Sequence, residues 1–162
     1  VVNMVKYNDK LNMGGTFLIQ TIDKETGKVE EEREIHNLIV TSGKNLVRDI
    51  LAGDSSLNLT SFAFGTGSTA PTIGDTGLET AVPYYNSNIY KCFETYTQNS
   101  AQTIYEGWWA STEPVTQPVD LREIGLFTSF GATGGTMYCR QTFSALTKST
   151  AIELKVEYTL DF

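Results

Sequence analysis

The closing stretch of the chain, residues 152–162, alternates without a break. Ile152, Leu154, Val156, Tyr158, Leu160 and Phe162 take one side, and Glu153, Lys155, Glu157, Thr159 and Asp161 take the other. Side chains of a strand point to opposite faces with a period of two, so this pattern predicts an antiparallel strand with one face on a core and one in water. Residues 121–128 and 137–146 read as two further strands joined by a glycine-rich turn. Near the start, residues 16–22 and 29–35 flank the polar stretch 23–28, whose glycine suits a hairpin loop. The acidic run Glu30, Glu31, Glu32 and Glu34 marks the second arm as a solvent-facing or edge strand. Residues 59–64, 88–97 and 102–112 complete the strand set, and 113–118, with two prolines, is a crossing loop.

One helix is expected, over residues 44–52. Thr41 or Ser42 would cap it, Leu46 with Ile50 and Val47 with Leu51 would give its apolar face, and Gly53 its left-handed exit. About eight strands, one short helix and no repeated βα pattern define a mainly-β protein, an antiparallel sandwich or small barrel. A length of 162 residues suits one domain, placed at residues 16–162 behind an N-terminal arm of residues 1–15.

Composition narrows the function. Twelve Lys and Arg against 19 Asp and Glu give a net charge of −7, the wrong sign for a phosphate backbone, so no nucleic acid partner is expected. Apolar runs such as 37–40 and 61–64 are far short of the ~20 residues of a bilayer-spanning helix, so no membrane partner is expected either. His36 is the single histidine, which excludes multi-histidine metal sites. No nucleophile elbow accompanies it. Residues 65–70 have the spacing of a dinucleotide fingerprint, but Pro71 and its neighbours do not open the helix that would receive the pyrophosphate. Asp23, Glu25, Asp54 and Asp75 do not form a calcium loop. Glu106 and Glu123 are a candidate carboxylate pair whose separation the sequence does not give. Cys92 and Cys139 are expected as buried free thiols. The expectation is a protein that is not an enzyme and carries no cofactor or metal.

Two features remain. Residues 65–77 form a loop far longer than the usual connection of about five residues. Trp108–Trp109 and Tyr84–Tyr85 are adjacent aromatic pairs; neighbours on a strand face opposite ways, so one tryptophan should enter the core and the other a surface or interface.

Three stretches together resemble structural proteins of tailed bacteriophages. Residues 36–53, His-Asn-Leu-Ile-Val-Thr-Ser-Gly followed by the helix, resemble their N-x-(I/V)-V-x-x-G strand and helix. Residues 62–79, with Gly-Thr-Gly-Ser-Thr-Ala-Pro and Asp-Thr-Gly-Leu, resemble their G-T-G-x-T-x-P-x-x-x-D-T-x-L segment. Residues 121–127, Leu-Arg-Glu-Ile-Gly-Leu-Phe, resemble their E-I-G-L-F ending. The resemblance implies a capsid decoration, or cement, protein on the outer surface of the virion head. It would be a homotrimer that bridges subunits of the major capsid protein. The preference for decoration over a tail-fibre or baseplate module rests on the absence of a shaft-like repeat after the last strand. A carbohydrate-binding sandwich with Tyr84, Tyr85, Trp108 or Trp109 as stacking platforms is a further alternative. Candidate contacts are Val1, Val2, Val5 and Tyr7 of the arm, Thr66, Pro71 and Ile73 of the long loop, and the four paired aromatics.

Overall fold

Strands that alternate apolar and polar residues need a second apolar layer, and here the ends of the chain supply the centre of the first one. In the computed structural model, which describes residues 13–54, 58–128 and 135–162, β1 (Gly14–Asp23) pairs antiparallel with β10 (Ile152–Asp161) along its whole length. Phe17 and Ile19 of β1 and Leu154, Val156, Tyr158 and Leu160 of β10 are buried; the alternation predicts the inner face of β10 correctly over these four residues, but Phe162, expected on the same face, is 55% exposed. β2 (Val29–His36) flanks β1, while β7 (Gln102–Trp109) and then β6 (Thr95–Asn99) flank β10, in the order β2-β1-β10-β7-β6. The acidic strand is therefore at an edge, where charge opposes pairing with other chains.

The second sheet contains β3 (Leu38–Ile39), β9 (Met137–Lys148), β8 (Val119–Phe127), β4 (Ser61–Gly65) and β5 (Lys91–Cys92), in that spatial order. All pairings are antiparallel. Among the described residues the protein is thus mainly β, two five-stranded sheets with one short helix, α1 (Thr41–Leu51), and of the two expected architectures it is the sandwich. The strands beyond the expected eight include β3 and β5, which at two residues each are too short to carry a period. β1 begins at Gly14, inside the stretch expected as arm.

Phe62 and Phe64 of β4 meet Phe17 and Trp109 of the first sheet in the core, with ring centroids 6.4 Å (Phe62–Phe17), 6.0 Å (Phe62–Trp109) and 4.9 Å (Phe64–Trp109) apart. Every residue of β4 is buried. Its outer side, which alternation would leave in water, carries Ala63 in a second apolar cluster with Val40, Phe127 and Met137, against which Leu78 and Tyr90 pack. Part of the long loop is a third layer.

Three local expectations need correction. Residues 88–97 are not one strand: the Phe93 amide donates to the Thr60 carbonyl, just ahead of β4 of the second sheet, and the Glu94 amide donates to Glu106 in the first. The chain changes sheets there because the Phe93 ring turns inward, 4.7 Å from that of Phe62. Neither Thr41 nor Ser42 caps α1. Val40 holds the cap position, the Thr41 amide donates to the Ile73 carbonyl at 2.8 Å, and the Ser42 hydroxyl donates to the Met137 carbonyl at 2.7 Å. Gly53 does provide the left-handed exit, at φ 103°. Of the helix's apolar face, Leu46 is buried, but Ile50 and Leu51 are 41% and 75% exposed. Finally, both cysteines are free, yet Cys92 is exposed and Cys139 alone is buried. Burial pushes the Cys139 thiol up to about 12.

Candidate functional site

The outer face of the second sheet is organised around one carboxylate. Glu123 on β8 precedes the apolar run Ile124–Phe127, Arg140 on β9 follows Met137–Cys139, and both are buried. A buried carboxylate needs donors on both oxygens. Glu123 Oε1 accepts the Gly67 and Thr80 amides at 3.0 and 2.8 Å, and Oε2 accepts the Glu79 amide at 3.0 Å and Arg140 Nε at 2.8 Å. Three of those four donors come from residues 67–80, so Glu123 pins both ends of the long loop to the sheet.

Arg140 completes the arrangement. Its Nη1 donates to Asp75 at 2.7 Å and its Nη2 to the Thr69 carbonyl at 3.2 Å. Asp75 in turn accepts the Thr72 amide and hydroxyl, and Glu79 accepts the amide and hydroxyl of Thr69. Burial raises the Asp75 carboxyl, but hydrogen bonds from Thr72 and Arg140 outweigh it and leave the group below its ordinary value. Bonds from Thr69 hold Glu79 below its ordinary value. The thirteen-residue stretch that looked irregular in sequence is thus a sequence of side-chain-bonded turns.

Gly67 shows why the nucleotide-like spacing is there. A Cβ at this position would sit 2.4 Å from Glu79 Cβ and 2.5 Å from Glu123 Oε1. The glycine admits a carboxylate of the protein itself, and this turn opens no helix.

The aromatic pairs divide as strand geometry requires. Trp109 is 3% exposed, within the core, so it cannot be a stacking platform for a sugar. Trp108, opposite Lys155 on β10, is half-buried on the other face. Lys91 Nζ lies 5.1 Å from the Tyr84 ring centroid and 5.7 Å from that of Trp109, and pairs with Glu113 at 2.6 Å. Tyr84 and Trp109 therefore share one cation, while Tyr85 is 57% exposed and belongs to the surface. In the long loop Thr66 and Pro71 are half-buried and Ile73 is 61% exposed. Val1, Val2, Val5 and Tyr7 lie outside the described residues.

Glu106 and Glu123 do not form a pair. Glu106 is on the first sheet, bonded to Thr95 and Lys155, and Glu123 is on the second, beneath the loop. Sequence reasoning missed the Glu123–Arg140 centre itself. The local signal was slight, a charged residue beside a short apolar run in each strand, Glu123 before Ile124–Phe127 and Arg140 after Met137–Cys139.

Near Glu113, Lys148 is fully buried and donates to the carbonyls of Ser111 at 3.3 Å and Ser149 at 3.0 Å. Burial pulls this amine down to about 8, against the fields of Glu113 and Glu153. The folded state therefore binds fewer protons than the unfolded state between pH 8 and the ordinary value of 10.5, and stability rises with pH in that window. Relative to Lys148→Met, the wild type should gain about 2–3 kcal/mol between pH 7 and 10 in urea unfolding, at ~1.4 kcal/mol per pKa unit. Parallel curves for the two proteins would refute this account of Lys148.

Comparison with protein-family models, with curated proteins and with solved structures finds no match for this chain.

Proposed function

We propose that this domain is a non-enzymatic structural component of a bacteriophage virion, a decoration protein that binds the outer face of the assembled head. The observation that supports this reading is the convergence of the three phage-like motifs on one unit. Glu123 of the third motif holds Gly67 and Glu79 of the second, and the Thr41 amide of the first donates to Ile73 of the second. Residues far apart in sequence thus cooperate to lay a long loop flat against a sheet, with Ile73 outward. A rigid loop of this kind loses little conformational freedom on docking, which favours its use as a contact surface.

On this reading the partner is the major capsid protein, the working form is a homotrimer, and the contacts use Ile73 and Tyr85, which are already exposed. Bridging two capsid subunits stabilises the shell by mass action, because the protein binds the assembled lattice and not its separated subunits. The net charge of −7 suits a protein that stays on the outside of a DNA-filled shell.

Electron microscopy of the native particle, with co-sedimentation of added protein on undecorated heads, tests the proposal. Density is expected on the outer head surface, and Ile73→Asp combined with Tyr85→Asp should lower occupancy about tenfold or more, as loss of interface anchors does. Thermal stability should be unchanged. Density at the tail would replace this reading with a tail-attachment module, and no association with any particle would remove the virion role.

A further inference from the structure

We propose that an apolar groove at one end of the sandwich is a binding site for an uncharged, largely aromatic small molecule that carries a hydrogen-bond acceptor, of the aryl ketone class. The groove has a volume of about 490 Å³, inside the range of about 300–1,000 Å³ usual for small-molecule sites. Leu46, Val47 and Leu51 of α1 form one wall, and Phe93, Tyr96 and Tyr105 form the other.

Three observations define the ligand. The first is charge. The chain has a net charge of −7, yet no Asp, Glu, Lys, Arg or His is among the described residues that line the groove. A carboxylate or ammonium group entering it gives up water and gains no counterion, so an uncharged molecule is selected. The second is surface. Phe93, Tyr105 and Tyr96 make a continuous aromatic wall, with ring centroids 4.6 Å (Phe93–Tyr105) and 6.4 Å (Tyr96–Tyr105) apart. Tilted rings of this kind take a further ring in offset or edge contact.

The third is polar and supplies the acceptor. Tyr138 on β9 lines the groove and is only 1% exposed, and its hydroxyl has no hydrogen-bond partner among the described residues. Burial, with the fields of Cys139 and of Tyr105 in the groove wall, raises this hydroxyl above its ordinary value. It therefore keeps its proton and is a donor without an acceptor, which is costly in a buried place. A ligand carbonyl oxygen accepts that hydrogen bond; a hydrocarbon does not. The site belongs to the single domain and stands apart from the virion role.

Calorimetric titration of the full chain with 2-acetylnaphthalene, naphthalene and 2-naphthoate tests the proposal. The ketone should bind one per chain, at least about tenfold more tightly than naphthalene, which has no acceptor, or 2-naphthoate, whose charge finds no partner. Tyr138→Phe keeps the ring and removes only the hydroxyl. It should weaken the ketone about tenfold and leave naphthalene within about twofold. Its melting midpoint should be at or above that of the wild type, because no hydrogen bond is lost. Leu51→Asp, on the exposed rim where substitution leaves the fold intact, should weaken ketone and naphthalene alike. Circular dichroism confirms that each variant is folded. No saturable ketone binding, equal affinities for ketone and naphthalene, or equal losses of the two in Tyr138→Phe overturns the proposal. A lowered midpoint in Tyr138→Phe overturns it too, because the hydroxyl would then already be paired. Ketone binding lost as rising protein concentration drives dimerisation overturns it and assigns the groove to a second copy.

Discussion

Replacing Glu123 by alanine is expected to destabilise the protein by about 4–5 kcal/mol, the upper range for breaking a buried ion pair from one side. The side chain is fully buried, and its loss orphans three loop amides, those of Gly67, Glu79 and Thr80, together with Arg140 Nε. For a domain of this length the midpoint should fall by roughly 10–15 °C. Amide exchange should accelerate across residues 66–80 before it does in β1 or β10, because the core contacts are untouched. Arg140→Ala should cost less, about 3 kcal/mol, since Glu123 keeps its three backbone donors. A double-mutant cycle should return a large coupling between the two. A midpoint within about 2 °C of wild type for Glu123→Ala would mean that the loop is held by something else. Asp75 and Glu79, both held below their ordinary values of 3.8 and 4.5, contribute stability above those values and lose it as pH falls through their lower folded ones. Loop exchange in the wild type should therefore rise first below about pH 4.

Phe62→Ala is the second large effect, at about 3–5 kcal/mol. Phe62 is fully buried at the centre of β4, and its ring meets Phe17 and Trp109 across the sandwich and Phe93 where the chain changes sheets. Its removal leaves a cavity between two sheets whose backbones are fixed by hydrogen-bonded neighbours, so collapse is incomplete and the cost stays high. Tyr85→Ala, on the surface, should lie within about 0.5 kcal/mol of wild type by the same urea measurement. Similar losses for the two variants would contradict the assignment of Phe62 to the junction of the sheets.

The expectations that succeeded and those that failed differ in the range of the interaction involved. A strand's period of two is local, so the presence of β1, β7 and β10 and the inner face of β10 were legible, as was the split of Trp108 from Trp109. A helix cap is only partly local: Thr41 and Ser42 were reasonable candidates, but contacts with Ile73 and Met137, distant in sequence, satisfied the first turn. Residues 88–97 read as one strand because nothing local indicates which sheet each amide will bond.

By itself the sequence determined a mainly-β domain with an acidic edge, one short helix stopped at Gly53, and a core face on its final strand. Those follow from side-chain periodicity and backbone preference, which need no distant partner. Only the tertiary structure decided that the long Gly-Thr-Pro loop is a third layer, that Glu123 binds Arg140 and not Glu106's neighbourhood, and that one end of the sandwich is left as an apolar groove. A buried charge has to be paired wherever its partners lie along the chain, and here they lie between 17 and 56 residues away.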